Sequence, residues 1–319
     1  MKILVTGATG FIGKQLSETL TNSGHEVRRT ARTPSSSDPV SRELIACDLE
    51  SADSFDHLTS GCEVIVHLAG RAHMMSDDPA KSESLYISAN VDVTRRLAQS
   101  AARTGVKRMI LMSSVKVNGE STTIDIPFTP HDTPNPQDPY GRSKTQAEQS
   151  LWEVTSISKL EGVVIRPPLV YGPGVRANFA SLIGIVNRGM PLPLGSIHNK
   201  RSFVAIDNLI DCIATALRSS NAAGQTFLVS DGNDLSTPEL IRYIASALDK
   251  SPTLFTFPPV LLKLAATSAG KRSAYDRLCG SLTVDIALTK QKLSWTPPFT
   301  VQESLQRTVD AFIQSRDSR

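Results

Sequence analysis

The feature that most constrains this chain is a glycine-rich turn near its start. Gly7, Gly10 and Gly13 follow the apolar run Ile3-Leu4-Val5 and precede a helical pattern. The first glycine allows a tight bend, the second lets backbone approach a pyrophosphate, and the third lets the helix pack closely on the strand. The N–H groups and dipole of that helix favour phosphate. The segment predicts a dinucleotide-binding turn that also includes Thr9, Phe11 and Ile12.

A second motif, Tyr140-Gly141-Arg142-Ser143-Lys144, lies at the start of another predicted helix. Its spacing puts Tyr140 and Lys144 on one helical face. Alone, the pair also fits an aromatic ring lying along a surface lysine stem; the glycine turn favours a catalytic interpretation. A tyrosine hydroxyl, with a pKa of about 10, needs neighbouring positive charge to act as a base. Lys144 and a cationic nicotinamide are expected to supply that charge.

A hydroxyl beside the tyrosine is expected to hold the substrate oxygen. The apolar strand that begins at Lys107 ends in Ser113-Ser114, and Ser114 is the candidate for this role. A serine at a strand end is also common as a turn or cap residue. The prediction therefore depends on the presence of Tyr140 and Lys144.

The order of elements predicts an α/β fold with a Rossmann-type doubly wound parallel sheet. A long helix over 79–104, closed by Gly105, is expected, and the segments 203–217 and 225–229 are expected to return to the sheet. We predict a nucleotide-binding domain at 1–166 and 203–230, and a smaller C-terminal α/β substrate domain at 167–202 and 231–319. The strands of the first domain are predicted at about 2–6, 26–30, 44–47, 63–67, 107–112 and 162–166.

Together these motifs resemble the extended short-chain dehydrogenase/reductase family, in particular the nucleotide-sugar epimerases and reductases related to UDP-glucose 4-epimerase. The resemblance extends over nearly the whole chain. Further matching segments are Asp48-Leu49, His67-Leu68-Ala69-Gly70, Asn90, Arg166-Pro167-Pro168-Leu169-Val170-Tyr171-Gly172-Pro173-Gly174 and Arg201-Ser202-Phe203-Val204-Ala205-Ile206-Asp207.

The resemblance also implies roles for individual residues. Asp48 and Leu49 would contact the adenine of the cofactor, Leu68, Ala69 and Gly70 would line the cofactor, and Pro167 would border the nicotinamide. Arg201 would bind the nucleotide diphosphate of the substrate, where a guanidinium fork suits phosphate oxygens. Asn178 would contact the sugar nucleotide, and Arg277 is a candidate second substrate arginine.

One departure from the family pattern concerns the cofactor. NAD-preferring relatives carry an acidic residue at the end of the second strand, where this chain has Ala31 followed by Arg32. An arginine there attracts a 2′-phosphate. We expect NADP(H) to be preferred, with NAD(H) possible, and with Arg32 first and Arg29 second as phosphate partners. The alternative is that these arginines are only solvated at a strand end.

A second departure follows Ser114, where sugar 4,6-dehydratases of the family carry an Asp-Glu pair and this chain has Val115-Lys116. A cysteine used by epimerase-reductases for 3,5-epimerisation is also absent from this stretch. The departures thus argue against dehydration and against 3,5-epimerisation. The reaction that remains compatible with these residues is hydride transfer at one sugar carbon.

Three functions fit these residues. Arg32 favours a reductase that uses NADPH. The stretches Arg71-Ala72-His73, Val117-Asn118-Gly119 and 276–282 resemble the bacterial subgroup that reduces UDP-4-keto-6-deoxy-N-acetylhexosamine. Its product would be UDP-N-acetylquinovosamine or UDP-N-acetylfucosamine for surface polysaccharide. The alternative is a UDP-hexose or UDP-N-acetylhexosamine 4-epimerase with tightly bound NAD. A non-catalytic NADP(H) sensor is the third, which the retained Ser114, Tyr140 and Lys144 disfavour.

Composition limits the partners. A net charge of +3 with dispersed basic residues gives no basis for a nucleic-acid partner. The cysteines are far apart, at 47, 62, 212 and 279, and are expected to be reduced residues of a cytoplasmic protein that has no metal site.

The segment 260–266 is too short to span a bilayer and is expected to face a core or a partner. A homodimer through the helices that hold Asn90 and Tyr140 is expected from the family, although ordinary core packing explains their apolar residues equally well.

Overall fold

The computed structural model describes residues 1–32, 44–71 and 79–317, without the side chains of 79–82 and 317. Ala72 and His73, which contribute to the reductase resemblance, lie outside the described residues.

Within the described residues, seven parallel strands form one sheet in the order β3-β2-β1-β4-β5-β6-β9. Strand order reverses between β1 and β4, which creates the crevice where doubly wound sheets bind ligands. The predicted Rossmann-type α/β fold is confirmed. The strands are β1 (Lys2–Thr6), β2 (Glu26–Ala31), β3 (Leu44–Ala46), β4 (Val64–His67), β5 (Arg108–Met112), β6 (Glu161–Arg166), β7 (Leu169–Tyr171), β8 (Phe203–Ala205) and β9 (Gln225–Leu228).

Helices cover both faces of this sheet, because alternate strand residues point to opposite sides. On β1, Ile3 and Val5 belong to one apolar core and Leu4 to the other. The helices are α1 (Phe11–Asn22), α2 (Asp56–Thr59), α3 (Pro79–Tyr86), α4 (Val93–Thr104), α5 (Pro139–Ser156), α6 (Ala177–Asn187), α7 (Ile206–Arg218), α8 (Thr237–Ala247), α9 (Pro259–Ser268), α10 (Arg272–Cys279), α11 (Ala287–Leu293) and α12 (Val301–Asp317).

The predicted helix over 79–104 is interrupted. A π-helical turn, Ile87–Asp92, separates α3 from α4. Gly105 ends α4 as predicted, with a φ of 80° in the left-handed region that favours glycine. Val91, Leu97, Ala98 and Ala101 are buried within the chain, so core packing accounts for them, whereas Ile87 is half-buried and Leu85 is exposed. The homodimer stays a prediction.

The return of the chain after residue 202 differs from the prediction. Strand β8 does not join the large sheet; it pairs in parallel with β7 in a separate two-stranded sheet. Helix α7 does pack on the core beside α1, and β9 joins the large sheet next to β6. A third apolar core unites residues of α6, α8 and α12. The two-domain division stays a prediction.

In the part of the chain that the structure describes, no helix combines the length and the apolar character needed to cross a bilayer.

Candidate active site

The glycine turn has the geometry that its spacing predicts. Gly7 adopts a φ of +69°, and its carbonyl oxygen accepts a hydrogen bond of 3.0 Å from the N–H of Gly10. A Cβ atom on Gly13 would lie 2.1 Å from that oxygen, so only glycine allows α1 to approach β1 this closely. No described side chain caps the start of α1 at Gly10. Its first N–H groups can therefore serve an anion.

A cleft of about 480 Å³ opens at this turn, a volume suited to a small-molecule cofactor. It extends from the glycine turn across the ends of β2, β3 and β4. The structure also adds lining residues that sequence reasoning missed, among them Thr30, Cys47 and Arg71. The predicted cofactor residues in its lining are Gly7, Thr9, Gly10, Arg32, Asp48, Leu49, Leu68, Ala69 and Gly70.

Three predicted residues of the glycine-rich turn lie outside the lining of this cleft. The side chain of Phe11 packs against the apolar core, and Gly13 is buried under the turn. Ile12 lines the neighbouring catalytic pocket instead. Phe11 and Gly13 thus act through the packing of α1, because they occupy its buried side.

Arg32 lies at the end of the cleft formed by β2 and β3, with its side chain 71% exposed. Its Nη2 is 2.6 Å from Oε1 of Glu50, and its Nε is 3.7 Å from Oδ1 of Asp48. The guanidinium therefore already has two carboxylates beside it. Arg29, the expected second phosphate partner, is buried and does not line the cleft, because both faces of β2 are covered at that position.

Ser114, Tyr140 and Lys144 line one pocket of about 240 Å³, together with Pro167. Local structure fixes the start of α5, which carries two of them. Asp138 precedes the helix, accepts a 2.6 Å hydrogen bond from the N–H of Gly141, and lies 2.5 Å from Nζ of Lys116. The cap and the ion pair place the tyrosine and lysine against the end of β5.

Burial is the largest influence on the pKa values of the two titratable groups in this pocket. Burial raises the pKa of Tyr140 to about 12, and a hydrogen bond with Ser114 opposes this rise. Burial lowers the pKa of Lys144 to about 8, and the Glu148 carboxylate opposes that change. The Nζ of Lys144 donates to the carbonyl oxygen of Met112 at 2.9 Å. Among the described groups, the hydrogen bond from Ser114 favours the phenolate.

Asn90, on the π-helical turn, ties the end of β4 to α5. Its Oδ1 accepts from the N–H of Arg71 at 2.7 Å, and its Nδ2 donates to Oγ of Ser143 at 2.8 Å. A Cβ atom on Gly70 would lie 2.8 Å from Oδ1 of Asn90 and 3.3 Å from Nζ of Lys144. The absence of a side chain at Gly70 therefore keeps the lysine and asparagine in place.

A buried ion pair, which sequence reasoning missed, lies behind the catalytic residues. Nε and Nη2 of Arg166 are 2.9 and 2.6 Å from the two carboxylate oxygens of Glu148. Ser113 also donates to Glu148, and the Nη1 of Arg166 donates to Asn118 at 3.0 Å. The spacing of Glu148, four residues after Lys144 on α5, was the available sequence signal.

A third pocket, also about 240 Å³, brings together the three predicted substrate residues Asn178, Arg201 and Arg277. Burial lowers the pKa of Arg201, whose Nη1 donates to the carbonyl oxygen of Gly280 at 2.9 Å. The apolar lining was not predicted; it includes Phe179, Leu182, Phe203, Leu240 and Leu278. Two arginines beside apolar walls suit an anionic group attached to a planar or apolar one.

Strand β7 separates this substrate pocket from the catalytic pocket. Leu169 lines the substrate pocket, and the next residue, Val170, lines the catalytic pocket with Tyr140. Successive strand residues point to opposite sides. The arginines and the tyrosine therefore lie in pockets on opposite sides of a single strand.

Comparison with known proteins agrees with this geometry. Residues 3–230 match the model of the NAD dependent epimerase/dehydratase family. The chain is 44% identical over 317 residues to a UDP-glucose 4-epimerase of Vibrio cholerae, covering 99% of this chain and 96% of that protein. It is 25% identical over 321 residues to the N-acetyl-alpha-D-glucosaminyl-diphospho-ditrans,octacis-undecaprenol 4-epimerase of Escherichia coli O157:H7, covering 96% and 94% of the two chains.

Solved structures give the same picture of the fold. MoeE5 in complex with UDP-glucuronic acid and NAD is similar with a TM-score of 0.79 and 25% identity, covering 99% of this chain and 100% of that one. The UDP-glucuronic acid 4-epimerase of Bacillus cereus, in complex with NAD, has a TM-score of 0.80 at 24% identity, covering 100% and 99%, and bears on the fold alone.

Proposed function

Because this chain belongs to the NAD dependent epimerase/dehydratase family, within the extended short-chain dehydrogenases/reductases, we propose that it is a 4-epimerase of a UDP-hexose or UDP-N-acetylhexosamine. The observation that carries the proposal is the 44% identity to the Vibrio cholerae UDP-glucose 4-epimerase over 99% of this chain. This likeness favours the epimerase, which the sequence analysis kept as its alternative. The comparisons give no support to the 4-keto reductase that it placed first.

The catalytic pocket supports proton transfer at the sugar C4 oxygen. Tyr140 would take the proton of the C4 hydroxyl and later return a proton to the 4-keto oxygen, while Ser114 donates a hydrogen bond to that oxygen. Lys144 would add positive charge beside both, and its pKa of about 8 keeps a large charged fraction near neutral pH. Bound NAD supplies a hydride acceptor and donor for C4.

The substrate pocket supports a reaction in which the sugar presents either face. Arg201 and Arg277 would hold the diphosphate on the far side of β7, so the hexose itself is not gripped by these two charges. A 4-epimerase needs such an arrangement, because the 4-keto sugar must turn over between the two proton transfers. A reductase needs only one face.

For the cofactor we propose NAD, bound with its pyrophosphate at the start of α1. The carboxylates of Glu50 and Asp48 beside Arg32 would repel a 2′-phosphate and compensate the charge of the guanidinium. The preference for NADP(H) expected from Arg32 stays a prediction, and it requires Arg32 to leave Glu50.

The test is to incubate the purified protein with UDP-glucose or UDP-N-acetylglucosamine, without and with added NAD, and to identify the products by nuclear magnetic resonance. We expect interconversion of the C4 epimers without net formation of reduced nicotinamide. Tyr140→Phe is expected to lower kcat by about 10²–10⁴ with NAD binding retained.

Two results would contradict the proposal. Stoichiometric oxidation of NADPH by UDP-4-keto-6-deoxy-N-acetylglucosamine, without epimerisation, would identify the reductase. Binding of NADP(H) with no turnover of any of these sugars would identify the sensor.

A further inference from the structure

Only one narrow side of helix α9 packs against the rest of the protein. Pro259, Leu262 and Ala266, spaced three and four residues apart, are its half-buried positions. Leu262 packs on the third apolar core. This spacing defines one side of a helix with 3.6 residues per turn. The opposite side therefore faces away from the protein.

Most of that outward side is apolar, and Thr267 and Ser268 are its polar residues at the C-terminal end of the helix. Val260, Leu261 and Leu264 are 69%, 51% and 61% exposed, and Ala265 beside them is exposed as well. Helices on the surface of a globular protein ordinarily carry charged or polar residues opposite the core. On α9 only Lys263, at the edge of this side, is charged. Three adjacent exposed aliphatic side chains mark an interaction surface.

The surroundings of this surface are basic. From residue 251 to residue 280 the chain carries Lys263, Lys271, Arg272 and Arg277 against one acidic residue, Asp276. Asp276 is paired with Arg272, with 2.9 Å between the nearest oxygen and Nε, and Arg277 lines the substrate pocket. Lys263 and Lys271 are therefore the basic side chains of this stretch that bear on the surface. Exposed aliphatic side chains flanked by lysine suit the surface of a bilayer that contains anionic lipid.

We propose that the outward face of α9 is a membrane-docking surface that binds anionic phospholipid bilayers peripherally. A second copy of the chain is a poorer occupant. A two-fold contact through this face would bring the same lysines of both copies together, and their charges would repel. A phosphatidylglycerol headgroup has the complementary charge, and the leucines would enter the acyl boundary.

Docking here would place the substrate pocket beside the bilayer. Helix α9 packs on α10, where the Tyr275 hydroxyl donates to the carbonyl oxygen of Pro259 at 3.2 Å. Helix α10 in turn supplies Ala274, Arg277 and Leu278 to the wall of the substrate pocket. The membrane would thus lie on the outer side of the helix pair that forms this wall. The inference does not depend on the proposed reaction, because binding to lipid needs no turnover.

The test is flotation of the purified full-length protein with vesicles of phosphatidylethanolamine and phosphatidylglycerol, compared with vesicles of phosphatidylcholine alone. We expect the protein to float with the anionic vesicles and to be released by salt. The double variant Leu261→Ser, Leu264→Ser is expected to bind them about tenfold or more weakly. Lys271→Glu is expected to weaken binding only to anionic vesicles.

Ile157→Ser is the matched control, because Ile157 is 87% exposed at the end of α5, outside this surface. Its binding is expected to equal that of the unmodified protein. Failure of the unmodified protein to bind anionic vesicles would overturn the proposal, as would equal losses in the control and the double variant. A fall in oligomeric mass caused by the double variant, without vesicle binding by either protein, would assign the surface to a second copy.

Discussion

At the level of single residues, the pKa of Lys144 depends on Glu148, a neighbour that does not line the catalytic pocket. Burial lowers the pKa of this lysine to about 8, and the carboxylate of Glu148 opposes the change. Glu148 is held by Arg166 and is 4% exposed. The ion pair behind the catalytic pocket therefore influences the pKa of Lys144 through the charge of Glu148.

We predict that Glu148→Gln moves the alkaline limb of the kcat profile to lower pH. Removing the carboxylate removes an effect that raises the pKa of Lys144, and a lysine with a lower pKa loses its charge at lower pH. The measurement is kcat against pH for both proteins. Glu161→Gln, which removes a carboxylate paired with Arg108 at the other end of β6, is the control and should leave the limb in place. Coincident limbs for all three proteins would refute this connection.

We also expect one residue pair, Arg32 and Glu50, to control the cofactor preference. We predict that Glu50→Gln raises the affinity for NADP relative to NAD by about five- to tenfold, because it frees Arg32 and removes a negative charge near the 2′ position. Dissociation constants for both dinucleotides, measured by calorimetry, give this ratio. Asp53→Asn removes an exposed charge from the same stretch but outside the cleft, and should leave the ratio unchanged. Equal ratios in all three proteins would show that Glu50 does not control the choice.

At the level of elements, the contact between α1 and β1 has almost no free space. We predict that Gly13→Ala destabilises the fold by about 1–3 kcal/mol, because its Cβ would lie 2.1 Å from a backbone oxygen that cannot move alone. Dinucleotide affinity should fall with it. Urea unfolding measures the first effect and calorimetry the second.

The control for this change is Gly184→Ala in α6, where the nearest atom to a new Cβ is 3.7 Å away. Alanine favours a helix interior, so this variant should be unchanged or up to about 1 kcal/mol more stable. Equal destabilisation of the two variants would mean that helix propensity, rather than the close approach at Gly7, governs the result.

The sequence predicts elements well where the pattern is local. Strand β1 and the strands from β3 to β6 contain apolar runs between turn residues, and the glycine turn follows from spacing. The π-helical turn could not be predicted, because an added residue in one helical turn leaves no composition signal. The pairing of β8 with β7 and the burial of Arg29 depend on contacts distant in sequence. The ion pair of Glu148 and Arg166 also depends on such a contact, because it joins α5 to the end of β6.

At the level of the whole molecule, substrate and cofactor would be held in different pockets. We predict that Arg277→Ala raises the KM for the UDP-sugar about tenfold or more, with little change in kcat and none in the affinity for NAD, because it removes a charged hydrogen-bond donor from the substrate pocket only. Initial rates with a soluble UDP-sugar give both constants.

Arg272→Ala is the matched control for this change. Arg272 lies on the same helix, pairs with Asp276 and does not line the substrate pocket. Its KM should equal that of the unmodified protein. A larger fall in kcat than rise in KM for Arg277→Ala would place this arginine in the chemical step instead.

The π-helical turn at Ile87–Asp92 gives the helical segment two angular registers. Residues of α4 such as Leu97 keep the phase that buries them against the sheet, whereas Asn90 has a phase of its own that aims its amide at Arg71 and Ser143. Winding the same residues as an unbroken α-helix would rotate one half relative to the other by about 100°. Either the core contacts of α4 or the hydrogen bonds of Asn90 would then be lost. The π-helical turn allows one helical segment to keep both.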